Sequence, residues 1–453
     1  MTRRPLVAAT LAAALSYAPL AHAMPPTPLS TVTASPNVHL VTNVPTGVGV
    51  GGKFAGHYYF QTTARSATYN APDGVSDGGL WVFDVSKPEA PSVVTHLPLP
   101  VWENEDVDLS LKRHVLLISA DRKKTVSQVT TSPVVGGVLF AYDITDLAHP
   151  LLKSVTPMPA TVGTKKDGTP LGGAGHIANC ILDCAYAYLT GSRDGSVAVV
   201  DLRDISAPKV LGTVKSPAGG DTAPWTPGIV HDVNVDRSGN VWMTGSGGTA
   251  LYAPVKDPLH PRLLASTSRS DNARTDSYIH HNSLRLDAST VLVGEESFDG
   301  CGGDPGDNVG GRFQSWRIDL RAKRLVPLSL YTQTVPGVQT CSSHWFDVNA
   351  GRIVADAWYE GGLRFLDLTN PRHMRQVGYL RTSDGAASQA QYVPGRPDLV
   401  YVSDYLRGLD VVRIDNAGAR AKTVSEGDVA VARTRPITFG PSDDYGYACP
   451  VRL

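Results

Sequence analysis

One phrase recurs along the chain and limits what it can fold into. A glycine turn leading into an apolar run appears as "GGLWVFDV" (78–85), "GGVLFAYDI" (136–144), "DGSVAVVDL" (194–202), "GGTALYAPV" (247–255), "GGRFQSWRI" (310–318), "GGLRFLDL" (361–368) and "RGLDVVRID" (407–415). These seven copies start 46 to 63 residues apart. Each is preceded by a second apolar run, such as "HVLLISA" (114–120) or "NVWMTG" (240–245). Short β-rich runs between glycine turns at a period of this size mark a propeller or a solenoid.

Two further strands complete the unit. About ten residues upstream lies a short run such as "HDVNVD" (231–236) or "HWFDVN" (344–349), and a Pro-led run such as "APSVVTHLPLP" (90–100) follows. Four strands per unit is the composition of a propeller blade. After the seventh copy the Pro-led strand is missing, yet "SPNVHLVTNVP" (35–45) stands near the start with no blade of its own. The economical arrangement has this segment completing the last blade and closing the ring, which leaves no exposed sheet edge. The expected fold is therefore all-β, a seven-bladed β-propeller of four-stranded blades over 35–415.

The phrase "VAVVDLRDISAPKVLGTV" (197–214) resembles the repeat of bacterial exported LVIVD-repeat proteins. The resemblance extends from about residue 35 to 415 and weakens in copies four and seven, where the Asp-x-x-x-x-Pro bend is degraded. It implies a propeller fold and an exported location, and supplies no catalytic residue.

The ends point the same way. Arg3 and Arg4 precede an apolar run from Leu6 to Leu20 that ends at Ala21-His22-Ala23, a signal-peptide pattern with cleavage expected after Ala23. The run is shorter than the roughly 20 residues of a spanning helix. Thr2-Arg3-Arg4 also loosely fits a twin-arginine signal. The division expected is signal peptide 1–23, Pro-rich linker 24–34, propeller 35–415 and C-terminal extension 416–453, in a secreted or periplasmic protein. Lys plus Arg total 41 and Asp plus Glu 42, which excludes the basic field that nucleic acid binding requires. Five cysteines in an exported chain suggest disulfides, with Cys180 and Cys184 close enough to staple a hairpin and Cys301 and Cys341 able to tie neighbouring repeats.

In a propeller the innermost strands line a channel, and their first residues form a ring at one face. That ring reads Glu105, His176, His231, His281 (with His280) and His344 in consecutive blades, then Gln389 or Gln391, with the first blade apolar near Val48. Histidine is 13 of 453 residues, so composition alone does not explain the run. Two readings stay open. Duplication could have copied one histidine that hydrogen-bonds within its blade, which "AGHIAN" (174–179) fits. Alternatively, several imidazoles at one mouth make a site for a transition-metal ion such as Zn, Cu or Fe.

Loops expected on the same face add Glu295, Glu296, Arg193, Asp194, Trp358, Tyr359 and Glu360, of which Glu296 is the best acid–base candidate. "DGCGGDPGDNVGG" (299–311) lacks the carboxylate spacing of a calcium loop. Ser343 beside His344 makes no nucleophile pair, because strand neighbours point to opposite faces. No nucleophile elbow, phosphate loop or His-Glu-x-x-His helix appears. Three functions follow: a protein binding a small molecule or a protein partner at the channel mouth through a metal ion, a metal-dependent oxidoreductase or hydrolase using the same histidines, or a metal-free interaction scaffold. For the enzyme, the selenium-binding and methanethiol oxidase family offers an analogy of fold only, since none of its motifs is matched.

Overall fold

A computed structural model describes residues 31–64, 78–99, 106–120, 137–158, 161–164, 170–192, 194–220, 228–275, 279–297, 311–333, 335, 338 and 341–415. The repeated phrase forms the third strand of successive antiparallel meanders in an all-β, propeller-like fold. The first meander runs Val48–Ala55, Tyr58–Ala64, Gly79–Asp84 and Ser92–Pro98, each strand paired to the next. Others begin at Val107–Ser110, Ala178–Ile181, Val230–Val235, Ile279–Arg285, Phe346–Val348 and Ala387–Val393. The fourth and fifth join into one eight-stranded sheet through a single parallel pair, Ser266 with Arg324, on their outer strands.

The last meander takes its outer strand from the other end of the chain. Val38–Val44 pairs antiparallel with Gly408–Ile414, from Val38 opposite Ile414 to Val44 opposite Leu409. Asn43 secures it with bonds to the Arg407 carbonyl (2.9 Å) and Asp410 Oδ1 (2.8 Å). The linker expected over 24–34 needs correction at its end. Val32–Ala34 is a strand that pairs with Arg375–Thr382 as the fifth member of that sheet. Its backbone pairs with the outer edge of that sheet from Val32 opposite Thr382 to Ala34 opposite Leu380.

Successive sheets pack face to face, and this explains why their middle strands read as near-continuous apolar runs rather than alternating ones. Leu116 and Ile118 join Leu80 and Val82 of the preceding sheet, while Leu117 joins Ala187 and Leu189 of the following one. The same division recurs at Met243 and Trp242, which pack with Tyr188 and with Val291 respectively. Leu292 packs with Val354, and Ile353 with Val400. Tyr401 and Val411 of the last sheet then share a core with Tyr59 and Phe83 of the first.

The turn residues of the phrase have local causes. Asp84, Asp143, Asp201 and Asp367 end their strands by accepting the N–H two residues on, at 2.8–3.0 Å, which starts the bend before the Pro-led strand. Gly408 adopts φ 85°, and a Cβ there would run into the Thr46 backbone. Cys180 and Cys184 form a disulfide across a hairpin turn in which Leu182, Asp183 and Cys184 all have positive φ. Cys341 is also disulfide-bonded, while Cys301 lies outside the described residues. Among the described residues no helix is long and apolar enough to cross a membrane.

Candidate metal centre

The histidines reach one another through β-bulges. In Val230–Val235 the register with the next strand passes from Val230 opposite Gly245 to Asp232 opposite Thr244, which leaves His231 as the extra residue. His281 is the extra residue in Ile279–Arg285, as Ser388 is in Ala387–Val393 and Val50 in Val48–Ala55. Gly175 and His176 both donate backbone N–H to Thr190 O, while His344 N donates to Ala357 O and Ala357 N donates to Trp345 O. A bulge re-aims its side chain out of the sheet's alternation. Here it turns imidazoles from consecutive sheets toward each other.

The resulting stack is buried throughout. Ring centroids lie 4.6 Å apart for His176 and His231, 4.1 Å for His231 and His281, and 3.8 Å for His281 and His344. Hydroxyls of the preceding sheet brace the bulges. Ser119 donates to His176 O at 3.0 Å, Thr190 to His231 O at 2.6 Å and Thr244 to His281 O at 2.8 Å. Ser388, itself a bulge residue, donates to Val50 O at 2.7 Å.

Three donor atoms converge within the stack. One from each of His231, His281 and Glu296 lie within 4.8 Å of one another, and His231 Nε2 is 3.8 Å from Glu296 Oε2. His231 Nδ1 is 3.1 Å from His281 O. A carbonyl only accepts, so Nδ1 carries the proton and Nε2 of the neutral ring presents a lone pair. His344 is set likewise by Ser388 O, 2.6 Å from its Nδ1. Glu296 accepts from Tyr359 OH on Oε1 at 2.6 Å, leaving Oε2 toward His231. Metal-ligating imidazoles are held by such outer bonds to carbonyls, and ligating carboxylates are in turn hydrogen-bonded.

The residues fit a transition-metal ion. At zinc–ligand distances of 2.0–2.1 Å, tetrahedral donors sit about 3.3 Å apart. The donors here are spread wider, within 4.8 Å of one another, with 3.8 Å between His231 Nε2 and Glu296 Oε2. Two imidazoles and a carboxylate suit zinc or non-haem iron, and a cation offsets the cost of burying the carboxylate.

The other expected site residues are placed differently. His176 Nε2 lies 3.0 Å from His231 Nε2, and His176 adjoins the site outside the three-donor group. His344 stacks on His281 outside the three-donor group. His280 is a correction: one position before the bulge, it points away, with Nδ1 2.7 Å from Thr249 Oγ1 and its ring 5.5 Å from Trp316. Glu295 likewise faces its own loop, accepting from Arg312 N and Gln314 Nε2. Glu105 and Arg193 lie outside the described residues, as do 299–310 of the Gly-Asp insertion.

Asp194 pairs with Lys215, Trp358 with Asp356, and Ser343 with Asp356 rather than with a histidine. Gln389 accepts from Gly52 N across the seam between last and first sheets. The bracing hydroxyls Ser119, Thr190 and Thr244 escaped the sequence reading. Their signal is a Ser or Thr near the end of each second strand, in "LLISA", "YLTG" and "WMTG".

No protein-family model and no curated protein matches the chain. Solved structures do resemble it. A protein from Lactobacillus plantarum superposes with a TM-score of 0.53 at 12% identity, covering 78% of this chain and 93% of that one. A chain of the mitotic checkpoint complex gives a TM-score of 0.48 at 10% identity, covering 91% and 99%. The first likeness, at that identity, is one of fold alone.

Proposed function

We propose that this chain is an exported seven-bladed β-propeller of the LVIVD-repeat kind that holds one transition-metal ion at its channel mouth and uses it to bind a small ligand. Support for seven blades comes from the seven four-stranded meanders and from the apolar cores that join each to the next and the last to the first. Support for export comes from the Arg-led apolar start and from the Cys180–Cys184 disulfide.

The observation that carries the metal reading is the convergence of His231, His281 and Glu296, with His231 and Glu296 each fixed by a second hydrogen bond. His231, His281 and Glu296 hold the ion, and His176 and His344 wall it. Complete burial of these donors restricts what reaches the ion to small molecules. A metal-dependent enzyme is favoured as second reading by one feature: three protein donors leave coordination open, as catalytic sites do and closed structural sites do not.

The test is metal content by mass spectrometry on protein purified from its exported compartment, beside a His231→Ala/His281→Ala double variant. One ion per chain, lost in the variant, is the expected result. No ion in either protein, with the variant folded, overturns the metal reading.

A further inference from the structure

We infer that Tyr359 is the positioning residue of this metal site, selecting which oxygen of Glu296 is offered to the ion. The inference rests on the metal reading above and adds a residue to it.

Tyr359 holds a backbone conformation that its side chain disfavours. Its φ is 45°, in the left-handed region, although Gly361 and Gly362 stand close by in the same turn. A bulky residue adopts this conformation only where surrounding structure holds it. Two reciprocal bonds to the neighbouring sheet do so: Tyr359 N to Ala387 O and Ala387 N to Tyr359 O, both 2.9 Å. Packing fixes the ring as well, 4.7 Å from His344 and 6.0 Å from Tyr405 between centroids.

The clamp delivers the phenol to one atom. Its hydroxyl lies 2.6 Å from Glu296 Oε1, while the other oxygen of the same carboxylate is the one 3.8 Å from His231 Nε2. With Oε1 engaged, rotation of the carboxylate about its last bond is arrested and Oε2 stays turned toward the imidazoles. A buried tyrosine needs a hydrogen-bond partner in any case. That need alone does not require left-handed backbone, a two-bond clamp and a carboxylate from a different sheet.

The experiment measures zinc affinity of the full mature chain by competition with a chromophoric chelator, for wild type, Tyr359→Phe and Tyr401→Phe. Tyr401 is a matched control, since its buried hydroxyl also donates one bond, to Pro88 O at 2.8 Å, away from the histidines. Thermal unfolding of the zinc-free proteins is recorded alongside. The expected result is zinc binding at least about tenfold weaker in Tyr359→Phe and unchanged in Tyr401→Phe, the scale on which loss of an outer-shell partner acts. Affinity within about twofold of wild type in Tyr359→Phe overturns the inference and leaves the metal reading standing. An equal loss in both variants, tracking their unfolding temperatures, also overturns it. Wild-type protein that binds no zinc or other divalent transition metal removes both.

Discussion

Asp404→Asn should stabilise the protein, and by an amount that grows with pH. Asp404 is 3% exposed, at the end of Arg396–Asp404 beside the seam where Val38–Val44 completes the last sheet. Its Oδ1 accepts N–H bonds from Ala386, Leu406 and Arg407 at 2.8–3.1 Å. Burial, and next the charge of Asp410, nevertheless raise it from 3.8 to about 7, with the Arg407 charge and the backbone bonds opposing. Because the folded pKa lies above the unfolded one, the folded state binds the extra proton. That stabilisation is full below about pH 4 and is lost as pH rises through about 7.

The shift spans about 3 pKa units at 1.36 kcal/mol each, so the ionised group costs at most about 4 kcal/mol at pH 8. Asparagine keeps the accepting oxygen and never ionises. Urea unfolding of both proteins from pH 4.5 to 8.5 should give curves that diverge, with the variant ahead by a few kcal/mol at the alkaline end. Other carboxylates act in both proteins, so the difference isolates this one. Parallel curves, or a variant that is the less stable at pH 8, would refute the reasoning.

Three further outcomes are expected. His280→Ala should keep its bound metal while His281→Ala loses it, since the bulge turns only the second ring toward Glu296; metal analysis of both variants decides. Replacing Cys180 and Cys184 by Ser should cost about 2 kcal/mol in urea unfolding, the loop-closure value for a ring this short. Thr244→Val should cost about 1–2 kcal/mol and weaken metal binding, because the hydroxyl that donates to His281 O is lost while the carbonyl stays buried.

Much of the fold could be read from the sequence because each unit repeats the same physical requirements. Glycine supplies left-handed turns, Asp ends the third strand in several units, and middle strands buried on both faces read as near-continuous apolar runs. The strand count leaves segment 35–45 without a blade of its own and one strand missing at the far end of the chain, and Val38–Val44 pairs there. The site was legible only as a set of candidates. Alternation along a strand says that His280 and His281 face opposite ways but not which one faces inward, and the bulge that decides this leaves no mark in the residue types. Glu296 and Tyr359 meet from different sheets 63 positions apart, a proximity that comes from sheet packing alone.

Anomalous diffraction from crystals of the native protein, collected on both sides of the metal absorption edges, tests the central claim most directly. The account predicts one peak bonded to His231 Nε2, an imidazole nitrogen of His281 and Glu296 Oε2, at about 2.0–2.2 Å. A map without a peak among these three residues in metal-saturated crystals, or with its peak elsewhere, would contradict it.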